Sequence, residues 1–331
     1  SEMKGIWFTA KGKTEFRDEE RPVVKPGTAL METIYSGLSN GTERNKLMGG
    51  NYHSGTYPDR IGYQHVSRVV EVGAGFTRFA PGDVVFSAMF PGHVPYHVLG
   101  EDDLAVRLAT ADRASGLSHD WMQAACLMGV ASVSMHDARL ARTSVDDNVL
   151  VFGGGLIGLF AVQAAHVLGA RVTLVDRHAD RLELAQALGA DSALDNVGEA
   201  AWPALDKEAP FTVCLECSGA EVLDRIVGPG PKNGLLARPS RLVFVAGRSE
   251  VTIDFNLAFR CKLECHFTGH FVQDDLDQVY RLARNGRLEL RRLVRDVVPI
   301  SDAIRVYDTL RDEKSALLGT VFDWTGDHGL A

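Results

Sequence analysis

No apolar run among the 331 residues approaches the roughly 20 needed to span a bilayer, so a membrane-spanning helix is excluded from the reading. Basic side chains are outnumbered, 35 Lys and Arg against 43 Asp and Glu for a net charge of −8. Nothing resembles the clustered positive footprint of a nucleic-acid binder. Cysteine is scarce. Five residues, an odd number scattered along the chain, make no disulfide framework and point to a cytoplasmic protein. Ser1 to Trp7 lacks the charged head and long apolar stretch of a secretory signal. Tandem repeats and low-complexity segments are also missing. What remains is ordinary in composition, with 45% hydrophobic and 24% charged residues, and the length leads one to expect two domains.

The first third is strand-like. Ala29–Ile34 and Ser67–Val72 are β-rich runs set among Gly and Pro turns, and the turn Ala80-Pro81-Gly82-Asp83 precedes the apolar run Val84–Phe86. A mostly antiparallel β module over residues 1–120 is expected. The middle then changes period. Asn148–Phe152 is a short apolar strand, Leu159–Leu168 has helical spacing and stops at Gly169, and Arg171–Val175 is a second strand ending on Asp176. Arg181–Leu188 reads as another helix, and Phe211–Leu215 and Arg241–Val245 as buried strands ending on Ser218-Gly219 and Ala246-Gly247. Strand and helix alternating at this spacing predict a parallel, doubly wound sheet over 121–270. Residues 271–331, with helices near 276–284 and 301–311 and a strand at 320–324, return to complete the first module. The expected class is α/β.

The strongest motif lies at the first strand-to-helix junction of the middle region. Gly153, Gly155 and Gly158 fit G-x-G-x-x-G: a tight turn, a close approach of backbone to a pyrophosphate, and close packing of helix on strand. Phosphates would sit on the free N–H groups and positive dipole end of the helix at Leu156, Ile157 and the residues after them. Asp176, at the end of the next strand, suits the ribose hydroxyls and repels a 2′-phosphate, favouring NAD over NADP. Arg177 beside it is the residue that could accept that phosphate.

With these marks in hand, the chain resembles the medium-chain dehydrogenase/reductase family, which includes the zinc alcohol and polyol dehydrogenases. The resemblance rests on Tyr35–Glu43, Gly62-Tyr63-Gln64, Pro81–Val85, the glycine turn and Glu216-Cys217-Ser218-Gly219, in family order. It implies a GroES-like catalytic module beside a Rossmann domain, an active site in the cleft between them, and a homodimer or homotetramer acting on a small molecule. Ser218, Gly219, Ala246, Gly247 and the backbone of His270 and Phe271 fall where the family holds the cofactor. The departures carry as much information. Asn40, Tyr63, Gln64 and Met128 stand where the family places zinc ligands, and residues 87–120 hold no cysteine for a structural zinc lobe. Amide, phenol and thioether suit Zn²⁺ poorly, so a zinc-free member is expected. Cys214-x-x-Cys217 and Cys261-x-x-x-Cys265 read as structural cysteines.

Without a Lewis acid, polarising a carbonyl falls to side chains. Thr42 matches the family's relay hydroxyl, Asn45 replaces the relay histidine, and Tyr63 could donate to an alkoxide-like oxygen with a pKa lowered beside the nicotinamide. His65 and Glu43 are further catalytic candidates. Asn40, Tyr52, His53, Gln64, Met89 and Phe90 are the expected substrate-binding residues, and His93 is placed on a loop near the substrate mouth. The motif pair around Asn40 and Gln64 is similar to a zinc-free branch that includes bacteriochlorophyllide dehydrogenase and relatives acting on sugar- or cyclitol-like secondary alcohols. An NADPH-dependent C=C or quinone reductase and an inactive NAD-binding redox sensor are the competing readings.

Overall fold

The computed structural model describes residues 2–196, 201–228, 234–326 and 328–330. In chain order, β1 (Glu2–Ala10) and β2 (Lys13–Glu20) form a hairpin, followed by β3 (Thr28–Gly37), α1 (Asn40–Leu47), β4 (His65–Val72), β5 (Val84–Ser87), β6 (Tyr96–Gly100), β7 (Ala105–Ala109) and α2 (His119–Ala125). Then come α3 (Met128–Leu140), β8 (Asn148–Phe152), α4 (Leu156–Val167), β9 (Arg171–Asp176), α5 (Ala179–Ala187), β10 (Ser192–Asp195), α6 (Ala201–Glu208) and β11 (Phe211–Glu216). α7 (Leu223–Ile226), β12 (Leu236–Phe244), α8 (Phe255–Arg260) and β13 (Leu263–Phe267) follow. α9 (Gln273–Arg284), β14 (Asp296–Pro299), α10 (Ala303–Asp312) and β15 (Thr320–Asp323) close the chain.

Two compact units result, one of Ser1–Gly129, Val272–Tyr280 and Leu290–Ala331, the other of Val130–Phe271 and Arg281–Glu289. The first boundary lies at Gly129, beyond the expected 120, because α2 packs on β3 and β4. Arg281–Glu289 goes with the second unit because the amide of Gln163 on α4 clasps the Glu289 backbone, donating to its carbonyl at 2.9 Å and accepting its N–H at 2.7 Å.

The first unit carries a seven-stranded sheet in the order β14-β15-β3-β4-β5-β7, with β6 also paired to β3. Its pairings are antiparallel except that of β14 with β15. One core gathers Met31, Val69, Phe76, Phe79, Val85 and Leu99; a second gathers Phe8, Leu38, Leu47, Tyr307, Phe322 and Trp324. The second unit carries a parallel six-stranded sheet in the order β10-β9-β8-β11-β12-β13. Its central strands β8 and β11 are buried almost throughout, as continuous apolar runs covered on both faces require. Chain order reverses between β8 and β11, and the carboxyl ends flanking that point are where a doubly wound sheet binds its ligand. This is the expected α/β architecture of a GroES-like β module and a Rossmann domain.

Candidate active site

At the carboxyl end of β8 the three motif glycines have three distinct physical roles. Gly153 has φ +104°, a backbone that disfavours a side chain, and a Cβ there would stand 2.9 Å from Ser218 N. A Cβ on Gly158 would lie 1.8 Å from the Gly153 carbonyl oxygen, so only hydrogen lets α4 start this close to the turn. A Cβ on Gly155 would meet nothing within 4 Å: this glycine leaves a surface bare for an approaching group. Leu156 and Ile157 open α4, whose N-cap Gly155 offers no capping side chain, so its first N–H groups await acceptors.

Asp176 ends β9 and is fixed by its neighbours. Its carboxylate accepts from Gly154 N at 2.7 Å, from His178 N at 2.8 Å and from His178 Nδ1 at 2.9 Å. Arg177 is exposed beside it. A narrow apolar crevice lies next to this edge, lined by Val175, Leu194, Asp195, Asn196, Trp202 and Leu205, with the Trp202 ring stacked on Phe152.

Ser218-Gly219 and Ala246-Gly247 meet at the ends of β11 and β12, and the organiser there is Glu216, which the sequence marks as part of a motif but gives no role. Its buried carboxylate accepts from Ser218 N at 2.9 Å, from the Ser218 hydroxyl and from Gly219 N at 3.2 Å, and pairs with Arg248. Its carbonyl accepts from Val245 N and Ala246 N. An acid closing an otherwise apolar strand was the available signal. After β13, His270 takes a left-handed backbone, φ +63°, ahead of buried Phe271, the kind of strained residue that clusters at ligand sites.

The residues at the family's zinc positions do not fit zinc. Asn40 Nδ2 donates to Leu317 O at 3.0 Å and Gln64 Nε2 points to Gly37 O at 3.4 Å, so each amide presents its nitrogen to a carbonyl. Tyr63 keeps its proton, and Met128 is buried. Amide nitrogens, a neutral phenol and a thioether lack the basic lone pairs that Zn²⁺ selects. The cysteines stay protonated as well: burial pushes the Cys214 thiol up to about 12 and raises those of Cys126 and Cys217.

Several expected roles change. The Tyr63 pKa is raised in this structure. Burial drives it well above the usual 10, against a hydrogen bond with Ser39 that works the other way, and the nearby Glu43 charge adds to the rise. Its hydroxyl lies 3.2 Å from Ser39 Oγ, and its ring stands 5.5 Å from that of exposed Phe90. Met89 is half-buried against the core of Met31 and Val85, and Tyr52 is exposed. Thr42 is half-buried in the first turn of α1, while the Asn45 amide holds the Asn51-Tyr52 turn. His53 is turned away onto Asp59 at 3.0 Å, which also meets Lys46.

Glu43 and His93 are wholly buried together, which corrects the direct catalytic role expected of Glu43; His93 does lie on a loop, the one before β6, but its side chain is buried in the core. Glu43 accepts from Ser39 N (2.9 Å), the Tyr307 hydroxyl (2.5 Å) and His93 Nε2 (3.2 Å); His93 Nδ1 meets Ser36 Oγ (2.8 Å), which also accepts from Trp324 Nε1 (2.9 Å).

His65 is also corrected. It points into the core with no exposed surface, donates from Nε2 to Gly92 O at 2.9 Å and stands 4.9 Å, ring to ring, from buried His97. Burial, then the neighbouring His97 and His93, hold its pKa well below 6.5, and burial holds that of His97 at about 4. Neutral inside and free to protonate when unfolded, these imidazoles contribute stability that is present above pH 6.5 and lost as pH falls toward 4. The melting temperature should therefore drop between pH 6.5 and 4.5. His97→Gln should flatten that drop, removing a pH-dependent contribution of about 2 kcal/mol at pH 5. Equal acid slopes in the two proteins would show that His97 is not the group that titrates.

Comparison with known proteins points to alcohol and polyol dehydrogenases. Residues 157–284 match the family described as zinc-binding dehydrogenase. An uncharacterized zinc-type alcohol dehydrogenase-like protein, YdjJ, of Escherichia coli (strain K12) is 27% identical over 88% of this chain and 97% of its own. D-xylulose reductase A of Aspergillus niger is 25% identical over 94% and 95%. Among solved structures, galactitol-1-phosphate dehydrogenase from Escherichia coli shares the fold with a TM-score of 0.80, at 19% identity, covering 97% of this chain and 100% of that one. These similarities support membership of the medium-chain dehydrogenase/reductase superfamily.

Proposed function

We propose that the protein is a zinc-independent, NAD-dependent oxidoreductase that interconverts a secondary alcohol, carried on a sugar, cyclitol or other ring, and its ketone. The observation that carries this reading is the turn Gly153–Gly158 with Asp176 anchored on the Gly154 N–H. A nicotinamide nucleotide supplies the hydride acceptor or donor when bound. The bare surface at Gly155 and the first N–H groups of α4 would receive its pyrophosphate, and Asp176 its adenosine ribose. In place of a metal, protonated Tyr63 donates to the substrate oxygen where negative charge develops, and Thr42 is the second hydroxyl available to move a proton. Relatives named for D-xylulose and galactitol 1-phosphate support a polyol-like substrate.

The test is a panel of xylitol, myo-inositol, cyclohexanol and similar secondary alcohols with NAD and NADP, followed by reduced-nicotinamide absorbance, alongside metal analysis. Turnover with NAD that survives chelators, in protein without stoichiometric zinc, is expected. One zinc per chain, or no turnover across the panel, would overturn the reading. Cofactor choice has its own check. Asp176→Ser should weaken NAD binding about tenfold to hundredfold, the loss of a charged hydrogen-bond acceptor, and narrow the gap to NADP. If wild-type protein binds NADP more tightly than NAD, Arg177 governs the site and Asp176 does not.

A further inference from the structure

We propose that Ser39 is a positioning residue for the reaction, its hydroxyl set aside to aim the proton of Tyr63; the inference rests on the catalytic role given to Tyr63 above. Ser39 is the N-cap of α1, where a serine hydroxyl normally accepts from a backbone N–H of the first turn. Here it makes no such bond. Instead Ser39 Oγ lies 3.2 Å from the Tyr63 hydroxyl, and Ser39 is buried. A hydroxyl withheld from its usual structural use, in a position where that use is open to it, signals another task.

The backbone of Ser39 is held by a separate device. Its N–H donates to Glu43 Oε1 at 2.9 Å, four residues along the same helix. Glu43 in turn cannot move, because Tyr307 from α10 and His93 from the segment before β6 bond its two oxygens within a fully buried pocket. The long chain of contacts thus ends on one atom. Glu43, His93 and Tyr307 fix the Ser39 backbone, and the Ser39 hydroxyl is left to bond Tyr63. When Ser39 donates to the Tyr63 oxygen, the phenol's own hydrogen must point elsewhere, which is where a substrate oxygen would receive it. In ketone reduction the carbonyl carbon gains hydride from the reduced nicotinamide, the C=O π pair moves onto oxygen, and the resulting oxyanion is stabilised by the phenol's hydrogen bond while its proton comes from solvent. In alcohol oxidation the proton leaves to solvent and the hydride passes to the oxidised nicotinamide, with the phenol staying protonated throughout.

The experiment compares Ser39→Ala, Ser39→Thr, Tyr63→Phe and the double variant Ser39→Ala/Tyr63→Phe on the most rapidly oxidised alcohol of the panel. Ser39→Ala is expected to lower kcat about tenfold with KM, NAD affinity and Tm near wild type, the loss of one hydrogen bond that orients a donor. Ser39→Thr, which keeps the hydroxyl, should recover most of the turnover. The double variant should be no slower than Tyr63→Phe alone, because Ser39 acts only through that phenol. Should Ser39→Ala fail to fold, Ser39→Cys, near-isosteric with a weak donor, replaces it in each comparison. Wild-type kcat in Ser39→Ala alongside a slow Tyr63→Phe would overturn this inference and leave the reading of Tyr63 standing. Full activity of Tyr63→Phe, or no oxidation across the panel, would overturn both. Losses that add in the double variant, accompanied by a lowered Tm, would show a structural role and overturn the inference alone.

Discussion

Tyr63→Phe is expected to lower turnover by about 10²–10³ while leaving NAD affinity and melting temperature near wild type, the usual cost of deleting one preorganised donor to an oxyanion. The substitution keeps the ring, which packs against Phe90, and removes only the hydroxyl beside Ser39. The size of the effect follows from the site's composition. On the zinc-free reading, Asn40, Gln64 and Met128 hold no Lewis acid, and stabilising the charge falls to hydroxyls. Burial holds the phenol protonated through the neutral range, which suits it to donate and unsuits it to act as a base. Thr42→Val, at nearly constant volume, is the parallel test of the relay hydroxyl. If both variants turn over at the wild-type rate, the proton travels through neither group, and a zinc-free mechanism would need a donor outside this cluster.

Gly158→Ala should weaken NAD binding by about 10², corresponding to the 1–3 kcal/mol of overpacking strain that a methyl forces on a closed site. Its Cβ would stand 1.8 Å from the Gly153 carbonyl oxygen, and what it meets is backbone, so the turn itself must shift. Melting temperature should fall with it. Gly155→Ala separates the two meanings of a motif glycine. Its Cβ meets nothing within 4 Å and the residue has ordinary φ of −68°, so the fold should be indifferent while a pyrophosphate brought close to that backbone should not. Calorimetry and titration with NAD decide it: loss of affinity with unchanged Tm in Gly155→Ala, loss of both in Gly158→Ala. A Gly158→Ala protein that binds NAD as well as wild type would show that the turn does not cradle the phosphates.

The parts that could be read from the chain alone are those whose physics is local. Mostly apolar runs marked β8, β9 and β11 to within a residue, because a strand covered on both faces is apolar at most of its positions. The glycine turn was legible for a similar reason: a left-handed backbone at Gly153 and a close approach at Gly158, at fixed spacing, leave only one residue type that fits. Charged strands, and short ones without a buried apolar run, were not legible. β2 reads Lys13-Thr14-Glu15-Phe16-Arg17-Asp18-Glu19-Glu20, and β10 and β14 have four residues each, so their pairing partners, not their own patterns, make them strands.

Side-chain roles around Tyr63 depended wholly on tertiary structure. Glu43 and His93 are 50 residues apart in sequence and Glu43 and Tyr307 are 264 apart, and nothing in the local sequence announces their contact. His65 looked catalytic because it follows Tyr63-Gln64 in the chain, yet the alternation of β4 turns it to the opposite side from exposed Arg68 and into the core. Residue types and spacing thus determined the glycine turn and the absence of zinc-like ligands at four positions. Which hydroxyls stay protonated, which imidazoles stay neutral and which serine is spared from capping its helix were decided by burial and by partners brought together from distant parts of the chain, since desolvation and hydrogen bonding act through space and not along the sequence.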